Sequence, residues 1–217
     1  LGSANANQPQ LILSAVFAGM AVGQLIAGPV SDAVGRKPLL LWCLLVYLLG
    51  AVVCLFANNM GTMLLGRVVQ GLGAAGPVVS CISIVRDKFH GREMAKVMSL
   101  VMMIFIMAPV LAPALGQGLM LVAHWRIIFG FFVLYGVAVG AWVLMSLEET
   151  LPLAKRIPWR ITTILQAAKE VLGHQQTRSY AIAMGLVFGS FIGYLVSTQQ
   201  IFQVQYQIGN VFVVYFG

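Results

Sequence analysis

Apolar positions in this chain fall in long uninterrupted runs, and the charges are gathered between them. No charged residue precedes Asp32, and positions 38–66, 68–85, 97–125, 127–147 and 179–217 carry none either. A helix needs about 20 predominantly apolar residues to cross a bilayer. Lipid offers the backbone no hydrogen-bond partner, so only helices and closed barrels span it. These runs lack the period-two alternation of barrel strands, which leaves helices. The pattern predicts six spans, near 11–30, 39–57, 61–85, 96–120, 127–147 and 179–198, with a seventh beginning at Val211. A polar stretch from Thr198 to Asn210, containing five glutamines, separates the last two.

Short polar turns at Asn58-Asn59 and Ala123-His124 join successive spans. One longer link, Glu148 to Arg178, carries Lys155, Arg156, Arg160, Lys169 and Arg178. Within it Ile161, Leu165, Ala168 and Leu172 recur at helical spacing, with Arg160, Gln166 and Lys169 elsewhere on the wheel. Two readings fit: an amphipathic helix on the membrane surface, started by Pro158, or a solvated linker.

Composition removes the other classes. Hydrophobic residues make up 60% of the 217 and charged residues 9%, against about 25% charged in a soluble domain. The mean hydropathy of +0.92 excludes disorder as well. Cys43, Cys54 and Cys81 all lie in apolar runs, with no paired or metal-ligand spacing. His90, His124 and His174 fall at loops and suggest no ligand set, so neither metal nor cofactor is expected. H-E-x-x-H and G-x-S-x-G are both absent. The chain is therefore read as an all-α polytopic membrane protein and not as an enzyme.

Lys and Arg set the orientation. The loop at 32–37 has two, the loop at 86–96 four and the link at 148–178 five, together eleven of thirteen on alternate sides of successive spans. Those loops are assigned to the cytosol. The net charge of +7 is then explained by topology and by an anionic lipid bilayer, and no nucleic-acid partner is required.

The loop Gly28-Pro-Val-Ser-Asp32-Ala-Val-Gly35-Arg36-Lys37-Pro38 holds the first candidate site. Glycine permits close helix approach at Gly28 and a turn of positive φ at Gly35. Its charges oppose the helix dipoles: Asp32 follows the negative end of the first span, and Arg36 and Lys37 precede the positive end of the second. Positive-inside bias accounts for the bases alone. Asp32 calls for a partner, either Arg36 or the N-terminus of another helix. Asp87, where the third span meets the cytosol, has Arg36 as one candidate partner and Arg86 or Lys88 as nearer ones.

Arg67 lies inside the third span, where a base at mid-bilayer costs about 2.5–3.5 kcal/mol on insertion scales. Either it snorkels to the outer headgroups, or it faces a cavity with Gln70, Gly71 and Ala74, which share its helical face. Pro109 and Pro113 allow the fourth span to bend. Gly19/Gly23, Gly136/Gly140 and Gly185/Gly189/Gly193 offer smooth packing faces. Met102, Met103, Phe105 and Met107 suit lipid contact or packing, and Gln24 is a pore-lining candidate.

Several of these segments together resemble the major facilitator superfamily. Gly28, Asp32, Gly35, Arg36 and Lys37 match its loop motif G-x-x-x-D-(R/K)-x-G-R-(R/K), with Ala33 where a base is usual. Arg67-Val-Val-Gln70-Gly71-Leu-Gly73 is similar to its R-x-x-Q-G-x-G motif. Pro109, Pro113 and Gly116 resemble the fifth-helix motif of the drug:proton antiporter branch, Gln117 standing where a second glycine is frequent. His124-Trp125-Arg126 with Phe129, and Glu149-Thr150-Leu151-Pro152, resemble that branch's sixth-helix borders.

The likeness is to bicyclomycin- and chloramphenicol-efflux transporters. It implies that the chain covers helices two to seven of a twelve-helix bundle, with the first helix outside it. Residues 1–147 would form most of the N-terminal bundle, 148–178 a central cytosolic linker, and 179–217 the start of the C-terminal bundle. The resemblance further implies proton-driven efflux of small amphipathic compounds by alternating access, in the bacterial cytoplasmic membrane. Its small-molecule substrate and protons would be the partners. A cytosolic gate would comprise Gly28, Asp32, Gly35, Arg36, Lys37 and Asp87, and Arg67, with Gln70 and Gly71, would serve proton coupling and the cavity. An uptake permease for a sugar or metabolite is the alternative. All six acidic residues (Asp32, Asp87, Glu93, Glu148, Glu149 and Glu170) lie in loops assigned to the cytosol, so no span supplies a proton-binding carboxylate.

Overall fold

The computed structural model describes residues 8–122, 124–158 and 174–200, with isolated positions between 159 and 173. Six long helices occupy the six apolar runs: α1 Gln8–Val34, α2 Arg36–Leu55, α3 Met60–Lys88, α4 Gly91–Val122, α5 Arg126–Ser146 and α6 Gln175–Gln200. Among them α1, α2, α3 and α5 are long and apolar enough by composition to cross a membrane. The expected seventh span and most of the surface helix begun at Pro158 lie outside the described residues. Close contacts divide the chain into two units, 1–157 and 158–216. The first ten residues of the expected linker, 148–157, thus belong to the first unit.

Local chemistry sets the helix ends. A single residue, Gly35, separates α1 from α2, and its φ of 109° is accessible only to glycine without strain. The side chain of Asn59 caps α3, its Oδ1 accepting the Thr62 N–H at 2.8 Å. Arg86 and Lys88 occupy the last turn of α3, where the helix dipole favours positive charge.

The first unit is built around α3. In lipid there is little hydrophobic drive between helices, so close van der Waals approach of small residues has to hold them. On one side, Gly19 and Gly23 of α1 seat against Val68, Leu72 and Ala75, and Gly71 of α3 seats against Val16 and Met20. On the other side, Gly66, Gly73 and Gly76 of α3 receive Cys54, Tyr47 and Cys43 of α2, and Gly50 receives Gln70. Helix α5 covers α2 at two levels. Val143 packs with Leu40 and Leu44 near the Gly35 end, and Phe129 packs with Cys54, Ala57 and Met63 near the Asn59 end.

Three sequence expectations change here. Open space, not a neighbouring helix, lies where a side chain at Gly28 would project, so no close approach occurs there. Gly136 meets Leu48, while among the described residues nothing lies within 4 Å of where a side chain at Gly140, Gly185, Gly189 or Gly193 would begin. Gly71 is occupied by the α1 backbone, which makes it a packing position and not part of a cavity wall. Met102, Met103, Phe105 and Met107 are exposed on α4, as lipid-facing residues would be, and Gln24 is exposed on α1.

In the second unit α6 is an apolar helix running through Gly185, Gly189 and Gly193.

Candidate functional site

Arg36 is the centre of a charged cluster where α1, α2 and α3 of the first unit end or begin. Only 4% of its surface is exposed, so its guanidinium must find partners within the protein. Nη1 donates to Asp32 Oδ1 at 2.6 Å and to Ser31 Oγ at 2.8 Å, and Nε donates to Asp87 Oδ2 at 3.0 Å. Asp32 lies one turn back in sequence, across the Gly35 break, while Asp87 reaches in from the end of α3. Of the partners open to Asp87, the structure selects Arg36. Among the described residues it forms no ion pair with Arg86 or Lys88.

The residue that sequence reasoning missed in this role is Glu149. Helix α2 begins with glycine at its cap position, so no local side chain serves its first N–H groups. Glu149 supplies the acceptors from the far end of α5. Its Oε1 accepts the Arg36 N–H at 3.0 Å, and its Oε2 accepts the Lys37 N–H at 3.3 Å. Oε1 also accepts the Leu151 N–H at 2.9 Å, and Arg156 pairs with Oε2 at 3.7 Å. A carboxylate here meets both the free donors and the positive end of the helix dipole. A helix N-terminus was one expected partner for Asp32; Glu149 takes that of α2, and Asp32 pairs with Arg36.

The remaining contacts close the ring. Lys37 Nζ donates to the Leu144 carbonyl at 3.1 Å, in the last turn of α5 where a cation is favoured. Thr150 Oγ1 donates to Asp87 Oδ2 at 3.4 Å, and the Ile157 N–H donates to the Asp32 carbonyl at 3.0 Å. The adjoining ends of α1, α2, α3 and α5 and the segment 149–157 are therefore tied together by one polar network. Gly28, the outermost element of the motif, touches none of it.

A second polar cluster lies deeper. Arg67 does not snorkel: its Nη1 donates to Gln70 Oε1 at 3.3 Å, and its Cζ sits 4.6 Å from the centroid of the Phe129 ring. Gln70 is 3% exposed. At the opposite end of α2 from Arg36, Arg126 donates to the Ala57 carbonyl at 3.2 Å and to Asn58 Oδ1 at 3.0 Å, fastening α5 to the turn between α2 and α3. Helix α4 runs through Pro109, Pro113 and Gly116, and nothing approaches Gly116 within 4 Å. No grouping of His, Cys, Asp and Glu suited to a metal occurs among the described residues.

Apolar helices packed on glycines, with a charged knot joining their ends and an arginine inside, are the architecture of a helical membrane protein. The model of the Major Facilitator Superfamily matches residues 3–217, and the chain belongs to that family. It is 37% identical over 99% of its length to the uncharacterized MFS-type transporter YdgK of Bacillus subtilis, covering 54% of that protein. It is 34% identical to a bicyclomycin resistance protein homolog of Haemophilus influenzae, over 80% of this chain and 45% of the other. With the multidrug resistance protein MdtL of Escherichia coli the identity is 40%, over 69% of this chain and 39% of the other. The chain thus spans about half the length of these curated relatives. Among solved structures, the human organic anion transporter MFSD10 shares the fold, with a TM-score of 0.58 at 23% identity over 72% of this chain and 36% of that one.

Proposed function

We propose that these residues form part of a secondary transporter that exports drugs or small amphipathic compounds across the bacterial cytoplasmic membrane, driven by inward proton flow. The observation that carries this reading is the cluster of Asp32, Arg36, Asp87 and Glu149, which joins four helix ends that the charge pattern assigns to the cytosol. In an alternating-access cycle two helix bundles rock around a central site. Residues 1–147 supply one bundle, 148–178 the cytosolic link and 179–217 the start of the other. A half-buried ionic knot suits a latch, because it holds when its partners meet and exposes solvated charges when they part. Gly35 and Lys37 shape that latch. Gly28 belongs to it by motif alone.

Arg67 and Gln70 are the polar pair within the spans that proton coupling would use, with Gly71 holding α1 against their helix. Pro109, Pro113 and Gly116 make α4 the segment that bends and limits leakage as the transporter changes face. Export is favoured over uptake by the names of the Haemophilus and Escherichia relatives, which are resistance proteins.

The test uses the natural gene product that carries these residues, reconstituted in vesicles with ethidium as the probe. Ethidium movement against an imposed pH gradient, with protons flowing the other way, is the expected result. Movement of ethidium and protons in the same direction would refute export.

A further inference from the structure

Arg67 sits inside the bundle, facing Gln70 and Phe129. No acidic residue pairs with it among the described residues, and the sequence places no carboxylate in any span. Gln70 offers one neutral oxygen at 3.3 Å, and Nε is buried with no hydrogen-bond partner. What faces the charge is an aromatic ring: Phe129 of α5, 4% exposed, lies with its centroid 4.6 Å from Cζ. A ring face carries negative quadrupolar potential and attracts a desolvated cation.

The ring is itself fixed. Trp125 and Phe132 flank it in edge-on geometry at 6.0 and 6.1 Å, with interplanar angles of 88° and 90°. Cys54, Ala57 and Met63 complete its surroundings, so its position depends on α2, α3 and α5 together.

We propose that Phe129 is the positioning residue for Arg67, its ring face doing the work that a carboxylate does in an ordinary buried ion pair. The chemical difference matters. A carboxylate would neutralise the guanidinium and occupy its in-plane N–H donors, whereas a ring stabilises the cation and leaves those donors free. Arg67 is thereby held charged and oriented with hydrogen bonds still to give. The consequence for transport rests on the efflux reading above; the pairing itself does not.

Two measurements separate these. In the first, Phe129→Leu, Arg67→Gln and the double variant are made in this chain, purified in detergent and melted. Each single substitution is expected to lower the midpoint by about 2–4 °C, and the double by clearly less than the sum, because the second change removes an interaction already lost. Strict additivity would overturn the proposal. In the second, ethidium efflux is followed in cells making the natural gene product with Phe129→Leu, Phe129→Tyr or Phe129→Trp at equal membrane abundance. Leucine is expected to slow efflux about five- to tenfold and the aromatic replacements to restore most of it. Equal loss in all three would make Phe129 a packing residue only and end the idea. Absence of efflux in the parent, with the melting cycle still non-additive, would refute the transport reading and sustain the pairing.

Discussion

Glu149 caps a helix that begins 113 residues earlier: its carboxylate accepts the backbone N–H of Arg36 at 3.0 Å. The same carboxylate lies against Gly35, in the space a side chain there would need. A helix with glycine at its cap thus borrows an acceptor from another part of the chain. The borrowing binds the segment after α5 to the loop between α1 and α2.

Glu149→Ala is expected to leave the first N–H groups of α2 unpaired and Arg156 without its partner. The cost should be about 1–2 kcal/mol. Glu149→Gln keeps an acceptor oxygen but no charge and should lie between. Thermal unfolding in detergent gives the order, and equal midpoints for all three proteins would remove Glu149 from the latch.

Gly35→Ala combines two penalties, a side chain at φ 109° and collision with Glu149 and Arg156. Together they should cost about 1–3 kcal/mol. Gly28→Ala meets open space on a helix and is expected to stay within about 0.5 kcal/mol of the parent. The paired measurement distinguishes two glycines that the motif presents as equivalent.

Removing Arg36 strands Asp87, which is 19% exposed, and should cost about 3–5 kcal/mol. Asp32→Asn touches a side chain that is 44% exposed, and solvent screening limits its loss to about 1 kcal/mol or less. Asp87→Asn is expected between these. Unfolding measured at matched detergent and salt tests the ranking, which fails if Asp32→Asn proves the most damaging.

Topology can be checked without transport. In a cysteine-free background, a thiol at Gly91 should react from the cytosolic side and one at Asn59 only from the opposite side. Reaction of both from one compartment would refute the alternation of the loops across α3.

Much of this was legible from residue pattern because a bilayer leaves little freedom. Charge-free runs of span length had to become helices, and all six helix positions follow them. The loop motif identified Asp32, Gly35 and Arg36 as one site, since local spacing across a one-residue turn already brings them together. Glu149 left no comparable trace. Among basic and acidic link residues it looks like any solvated carboxylate, and the only available hint was the lack of a capping side chain at Gly35. Gly28 misled for the opposite reason, because a glycine in a motif says nothing about whether a neighbour arrives.

Arg67 shows the same boundary within the membrane. Its presence in an apolar run, and the absence of acids from every span, are facts of the one-dimensional chain. Whether it reached outward or turned inward depended on what α5 set against it, and that was a ring 62 positions away. Periodicity and charge spacing act within a helix or across one turn, so the order of residues by itself determined the helices and the membership of the loop motif. Capping by Glu149, packing of Gly71 on α1 and the facing of Arg67 by Phe129 are encounters between distant segments, settled only when glycine-lined helices closed upon α3.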